Sequence, residues 1–341
     1  MRYKFPIAPS VALAFSLFTF FTAVIAINYW SAAKFDNDFS VFWRVAHQPL
    51  TAIYFWRGRF PFPYAPTMLL WISPLAYVPR WTGFAVWTVI GGGALALACR
   101  RYLRMPAIVL VLISPPVARG LFTGQVCAVL AALTIWACRT ANRTTSGILF
   151  GLIASVKPQL VLMAPLLMIL NRDWKAFWAA GLTFAATVAV SLLLFGPERW
   201  PEWIGSMGYF HHAIMDSSIV KVAITPAALA EHFGFAPLPF LLGGIVAGCV
   251  IVYLNRDAEP LQKAAAITTG SIIASPYALV YDLTAVMPLM ALAVFEGRFL
   301  PALVMGTGFH PAPLLVSLWE LVRSKISPAH LAREGRPLLS R

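Results

Sequence analysis

Asp36 and Asp38 stand in the stretch Lys34-Phe35-Asp36-Asn37-Asp38-Phe39, just beyond a long apolar run. A carboxylate set among apolar and aromatic side chains can take the proton of a hydroxyl, the general-base role, when the substrate is held within hydrogen-bond reach. Two solvated carboxylates would equally keep a helix end from sliding into lipid. Lys157 interrupts another apolar run, and an ammonium near membrane depth is costly enough to suggest function. A phosphate is its natural partner, as a point charge for phosphate oxygens, and snorkelling to an interface is its structural alternative. Arg119, beside the loop Gly120 to Gln125, carries the same two readings. Asp282 can accept a hydrogen bond from a substrate or cap the helix that begins at Leu283. His310, before Pro311, can bind phosphate, shuttle a proton, or simply fill a helix junction. The aromatic residues from Phe39 and Phe42 through Tyr54, Phe62 and Tyr64 suit an interfacial belt, a sugar platform or a groove for an isoprenoid chain.

The elements that must hold these groups are apolar helices. Hydrophobic residues make up 60% of the chain and charged residues 11%, a balance that no soluble domain could bury. The apolar residues come in blocks such as Val11 to Tyr29, Phe84 to Cys99, Phe177 to Phe195 and Leu238 to Leu254, each near the ~20 residues a helix needs to cross ~30 Å of hydrocarbon. Period-two alternation, the mark of a membrane barrel, is absent. The expected fold is therefore all-α, a polytopic transmembrane helix bundle over residues 1–341 as a single domain. The first apolar run is too long for a signal-peptide core and reads as a retained span.

Lys and Arg near span ends stay in the cytoplasm, which orients the bundle. The basic clusters are Arg2/Lys4, Arg100/Arg101/Arg104, Arg139/Arg143, Arg172/Lys175, Arg256/Lys263, Arg298 and Arg323/Lys325 with the basic tail. Placing all of them inside puts both termini in the cytoplasm and gives two outer loops, 32–80 and 196–237. Within the first loop, Thr67 to Val78 is apolar but short and proline-marked, so it reads as an interfacial or re-entrant helix packed on protein. The rest of the chain reads as pairs of short spans meeting at outer breaks, among them Lys157-Pro158 and His310-Pro311, for a total of about twelve spans. The charges outside the basic clusters then gather on the outer face, where a site is expected.

Composition and motifs exclude several other classes. The net charge of +13 lies in short clusters between apolar blocks, which is topology and not a nucleic-acid face. The four cysteines, Cys99, Cys127, Cys138 and Cys249, lack metal-type spacing and read as packing residues. No glycine-rich dinucleotide or phosphate-loop fingerprint is present. Asp36-Asn37-Asp38 matches the loose D-x-D pattern that holds a divalent metal on a nucleotide sugar, but that chemistry needs a soluble nucleotide-binding fold this chain lacks.

Several short pieces, in shared order and spacing, resemble the polyprenyl-phosphate-sugar-dependent glycosyltransferases of family 87. They are Asp38-Phe39 with Val41-Phe42-Trp43 and Ala46, Tyr54, Phe62-Pro63-Tyr64-Ala65-Pro66, Ser73-Pro74-Leu75, Val78-Pro79, Gly124-Gln125, Gly151-Leu152, Lys157-Pro158, Ser275-Pro276-Tyr277 and Tyr281-Asp282. The resemblance implies a C-type, multi-spanning glycosyltransferase architecture in the plasma (inner) membrane, with its active site facing the periplasm or exterior. It implies transfer of a hexose, typically mannose, from a polyprenyl-phosphate donor to a hydroxyl of a glycolipid or glycan acceptor. Asp38 is the base it implies, with Asp36 as the fallback. Lys157, Arg119 and His310 would meet the donor phosphate, and Tyr64, Gln125, Tyr277 and Asp282 the substrate. No metal or cofactor is called for, because the donor carries a single phosphate. The competing reading is a transporter or flippase of a lipid-linked sugar, which predicts polar residues through both halves of the membrane.

Overall fold

The computed structural model describes residues 9–31, 38–55, 61–215, 223–298, 300–301 and 312–326. Asp36 and His310 lie outside the described residues, as do both termini and most of the expected span Phe299 to Gly308. The described chain is helical throughout, and among the described residues its only β pairing is one antiparallel bridge, Ala223 to Leu279. In order the helices are α1 (Pro9–Ser31), α2 (Asp38–His47), α3 (Leu69–Ile72), α4 (Arg80–Cys99), α5 (Met105–Leu112), α6 (Pro115–Thr123), α7 (Cys127–Arg139) and α8 (Arg143–Val156). They continue with α9 (Ala164–Leu170), α10 (Trp174–Phe195), α11 (Arg199–Met215), α12 (Pro226–His232), α13 (Pro237–Leu254), α14 (Pro260–Ile273), α15 (Met287–Phe295) and α16 (Ala312–Ile326).

Four of these helices, α1, α4, α10 and α13, are long and apolar enough to cross a bilayer, and α5 with α6 makes a fifth if their 60° bend falls within one span. This corrects the expectation of about twelve spans in a C-type bundle. The four long apolar blocks in the sequence are these four helices. The short blocks are not further spans, because α7 has 13 residues and α8 and α14 have 14 each. At 1.5 Å per residue such helices reach ~20 Å, well short of the hydrocarbon core. Each short helix is ended by its own chemistry. Pro115 and Pro116 start α6 after a break at Ser114, Gly124 ends it, and Pro158 ends α8 by disfavouring helical geometry at Lys157.

Close glycine contacts hold the half-length helices against the long ones. Gly147 and Gly151, one turn apart on α8, face the carbonyls of Ala176 and Ala180 on α10, where any Cβ would stand inside van der Waals contact. Gly244 and Gly248 on α13 meet the carbonyls of Ile273 and Gly270 on α14 in the same way. Small residues at this spacing let two backbones approach, a common device in membranes, where lipid is as apolar as leucine and packing decides. The opposite face of α10 is bare, with Leu193 85% and Leu182 69% exposed, as expected of a helix that lipid surrounds.

The two segments expected as outer loops pack on each other. Buried Arg199, at the start of α11, donates to the Leu50 carbonyl at 2.7 Å and pairs with Glu202 at 2.6 Å. The Trp203 indole donates to the Pro63 carbonyl at 3.0 Å. Thr67 to Val78 is a broken helical stretch with Met68, Leu69 and Ile72 buried, so it packs on protein.

Candidate functional site

Five chain breaks converge on one polar cluster. Gly124 adopts φ 69° and ψ 32°, and the bonds Gln125 N to Gly120 O and Gly124 N to Leu121 O close the end of α6. This left-handed turn turns Gln125 into the protein. The break at Pro158 does the same for Lys157, and the 3-10 turn Val280–Val286 presents Asp282. The start of α2 contributes Asp38, and the extended stretch before Pro66 contributes Tyr64.

Lys157 and Asp282 form a buried ion pair, with side chains 8% and 2% exposed. Asp282 Oδ1 accepts from the ammonium and from the Cys127 thiol at 3.1 Å, and Oδ2 accepts the backbone N–H of Leu279 at 3.0 Å. Three of its roughly four acceptor directions are thus used locally. Asp282 is the third residue of its turn and reaches back to the N–H of Leu279, so it caps the turn Val280–Val286 from inside, while the ion pair with Lys157 gives it a second role. The Lys157 ammonium also lies 5.1 Å from the centre of the Tyr281 ring, within cation–π range.

Gln125 ties the two sides together. Its Oε1 accepts from Tyr64 Oη at 3.0 Å, and its Nε2 donates to Tyr281 Oη at 3.2 Å. Tyr64 is fixed in turn by its carbonyl, which accepts from Tyr54 Oη at 3.0 Å. The half-buried Asp38 carboxyl lies within hydrogen-bond reach of the Gln125 and Thr123 side chains and within the fields of Lys157 and Arg119. Burial raises its pKa above the ordinary carboxylate value, and those four neighbours only partly offset the rise.

Two groups in this cluster lack a hydrogen-bond or ion-pair partner for their polar ends among the described residues. Half-buried Arg119 feels Asp38 and Tyr277 electrostatically, but its guanidinium makes no ion pair among the described residues. The Tyr277 hydroxyl is buried and has no hydrogen-bond partner. A buried polar atom left unpaired costs about 1–3 kcal/mol, so such an atom is a natural place for a ligand.

The structure therefore brings Asp38, Tyr64, Arg119, Gln125, Lys157, Tyr277 and Asp282 together from positions spread over most of the chain. Sequence reasoning missed Thr123, Cys127 and Tyr281. Cys127 reads in sequence as a packing residue, and it is buried; only its position two residues after Gln125 points to the polar turn. Tyr281 carries no role in the sequence beyond its place beside Asp282. Thr123 gave no signal.

Fold and site together define an all-helical membrane protein whose polar cluster is enclosed between half-length helices. The sequence model of glycosyltransferase family 87 matches residues 62–276, more than half of the chain, and the chain belongs to that family. It is thus a membrane-associated enzyme of the glycosyltransferase type. Tyr64, Arg119, Gln125 and Lys157 fall inside the matched stretch, whereas Asp38 precedes it and Tyr277 and Asp282 follow it. Neither a curated protein nor a solved structure matches the chain.

Proposed function

We propose that this protein transfers a hexose, typically mannose, from a polyprenyl-phosphate donor to a hydroxyl of a glycolipid or glycan acceptor on the outer face of the plasma membrane. The observation that carries this reading is the gathering in one polar cluster of Asp38, a half-buried carboxyl, and Arg119, whose charge acts on it and whose guanidinium makes no ion pair among the described residues. Such a pair offers a base on one side of a reacting centre and a phosphate ligand on the other.

In this scheme the acceptor oxygen attacks the anomeric carbon while Asp38 takes its proton. The bond from the anomeric carbon to the phosphate oxygen breaks, and its electron pair leaves with the phosphate. Arg119 meets the charge that grows there, the task of an oxyanion-stabilising cation. Tyr277 donates its unpaired hydroxyl to the same phosphate or to the sugar. Lys157 is already held by Asp282, so it adds positive field and shapes the site more than it reaches for ligand. Tyr64 and Gln125 orient Asp38 from behind. The basic residues support the outward orientation: with α1, α4, α10 and α13 as the spans, Arg100, Arg101 and Arg104 beyond α4, Arg172 and Lys175 at the start of α10, and Arg256 beyond α13 share one face. Asp38 follows the opposite end of α1.

The test is transfer of labelled sugar from synthetic polyprenyl-phosphate-mannose, and from its glucose and arabinose analogues, into membrane acceptor extracts. Wild type should transfer one of them, and Asp38→Asn should lose transfer at equal expression. Absence of donor-dependent transfer with every sugar would overturn the reading and leave a carrier of lipid-linked sugars as the better account.

A further inference from the structure

A second feature lies beside the polar cluster, and the described residues that line it carry no charge. Between α12, the first turns of α13 and α16, and the last turn of α14 runs an open cavity of about 350 Å³. Its walls include Leu229, Phe233, Phe235, Phe240, Ile273 and Leu318, and every described residue that lines it is apolar. We propose that this groove holds the hydrocarbon chain of the lipid-linked donor and sets which chain lengths the enzyme accepts. The inference rests on the preceding reading of the polar site.

Three observations select this occupant. First, water or a peptide would need hydrogen-bond partners, and the lining offers none. Second, the groove and the polar site share one backbone ribbon. Ile224, in the groove wall, donates its N–H to the Ala278 carbonyl at 3.0 Å, and the Thr225 hydroxyl donates to the Pro276 carbonyl at 3.0 Å. Tyr277, with its unpaired hydroxyl, lies between those two carbonyls. A molecule with a phosphate at Tyr277 and a chain in the groove spans adjacent compartments. Third, the mouth opens to where lipid is expected. Phe233 and Phe235 are 69% and 62% exposed, just ahead of α13, one of the four crossing helices. Aromatic side chains at that depth suit the hydrocarbon boundary.

A chain that leaves lipid for this groove exchanges one apolar setting for another, so the groove gains little from hydrophobic transfer. Its effect must come from shape: it aligns the chain, and through it the phosphate, with the polar cluster. The expected signature is therefore selectivity between donors that differ only in the chain.

The experiment compares two donors with the same sugar phosphate, one with a full-length polyprenyl chain and one with a short, water-soluble isoprenoid. Ala230→Phe and Leu229→Trp fill the groove. Each should lower kcat/KM for the long-chain donor by about tenfold or more while leaving the short-chain donor unchanged, the scale at which one misfitting side chain rejects a ligand. Parallel losses with both donors, or none with either, would overturn the inference while leaving the proposed transfer intact. If wild type uses neither donor, the functional reading itself falls, and the inference with it. Where the substitutions prevent folding, the unaltered protein serves: a polyprenyl phosphate with a diazirine in its chain should label the segment from Leu229 to Phe240. Labelling confined to other helices would reject the groove.

Discussion

Lys157 and Asp282 stand 125 residues apart in the chain and meet as an ion pair shut away from solvent. The pair joins the break after α8 to the turn that follows α14, so it links the two halves of the polar cluster. Taking either partner alone leaves a lone buried charge, at a cost of about 3–5 kcal/mol. Lys157→Met and Asp282→Leu should each lower the melting temperature of the detergent-solubilised protein markedly. The double substitution should recover most of that loss, yet remain inactive in sugar transfer. If the double variant melts at the sum of the two single losses, the pair has no coupling and this account of the site fails.

The raised pKa of Asp38 gives a pH dependence with a definite sign. A base works only when deprotonated, so a carboxyl whose pKa lies above the ordinary ~3.9 keeps its proton longer as pH rises, and the acidic limb of the rate profile moves up with it. Arg119 is one of the groups that hold this pKa down. Arg119→Gln should therefore shift the limb further toward neutral pH as well as lower the maximal rate. A limb that stays in place while the maximum falls would remove Asp38 from the role of base, or Arg119 from its field.

Tyr277→Phe deletes one buried hydroxyl that has no hydrogen-bond partner among the described residues. Its loss should leave thermal stability unchanged or slightly improved. A hydrogen bond to a charged group is worth about 1.5–3 kcal/mol, so kcat/KM should fall about tenfold to a hundredfold if the hydroxyl meets the donor phosphate. Unchanged kinetics would show that this hydroxyl does not touch the substrate.

Gly124 combines a left-handed backbone with a close neighbour. A Cβ there would sit 2.5 Å from the Cβ of Phe39, the residue after Asp38. The backbone term alone costs about 1–2 kcal/mol for a residue with a side chain. Gly124→Ala should thus lower stability by at least that much and also displace the start of α2, so transfer falls more than the folded fraction does. Activity that tracks the folded fraction alone would mean that α2 stays in place.

The sequence made the membrane class and the four long helices legible, because uninterrupted apolar blocks near ~20 residues leave few alternatives. It misled over the short blocks. Apolar stretches such as Val126 to Ala137 and Gly147 to Val156 carry the same composition as a span, and only their length and their close-packed glycines distinguish them. The gathering of Asp38, Tyr64, Gln125, Lys157 and Asp282 was approached through motif order and outer placement. The ion pair that engages Lys157 was not foreseen, since nothing in local sequence shows that two residues so far apart neutralise each other. Cys127 was hidden for a related reason: a buried thiol in an apolar helix looks the same in sequence whether it packs or donates.

The half-length helices also constrain how the protein enters its membrane. Neither α7 nor α8, at 13 and 14 residues, is long enough to be retained by a bilayer alone, and Lys157 reaches the interior before its partner Asp282 has been synthesised. The glycine face of α8 likewise waits for α10. The seating of α7 and α8 must therefore be cooperative and late: in ribosome-bound chains that end after α8, already anchored by α1 and α4, a cysteine placed on the glycine face of α8 should react with a water-soluble maleimide, and in chains that extend past α10 it should not. For this protein, the long helices anchor the chain first, and the polar cluster closes only when Asp282 arrives to meet Lys157.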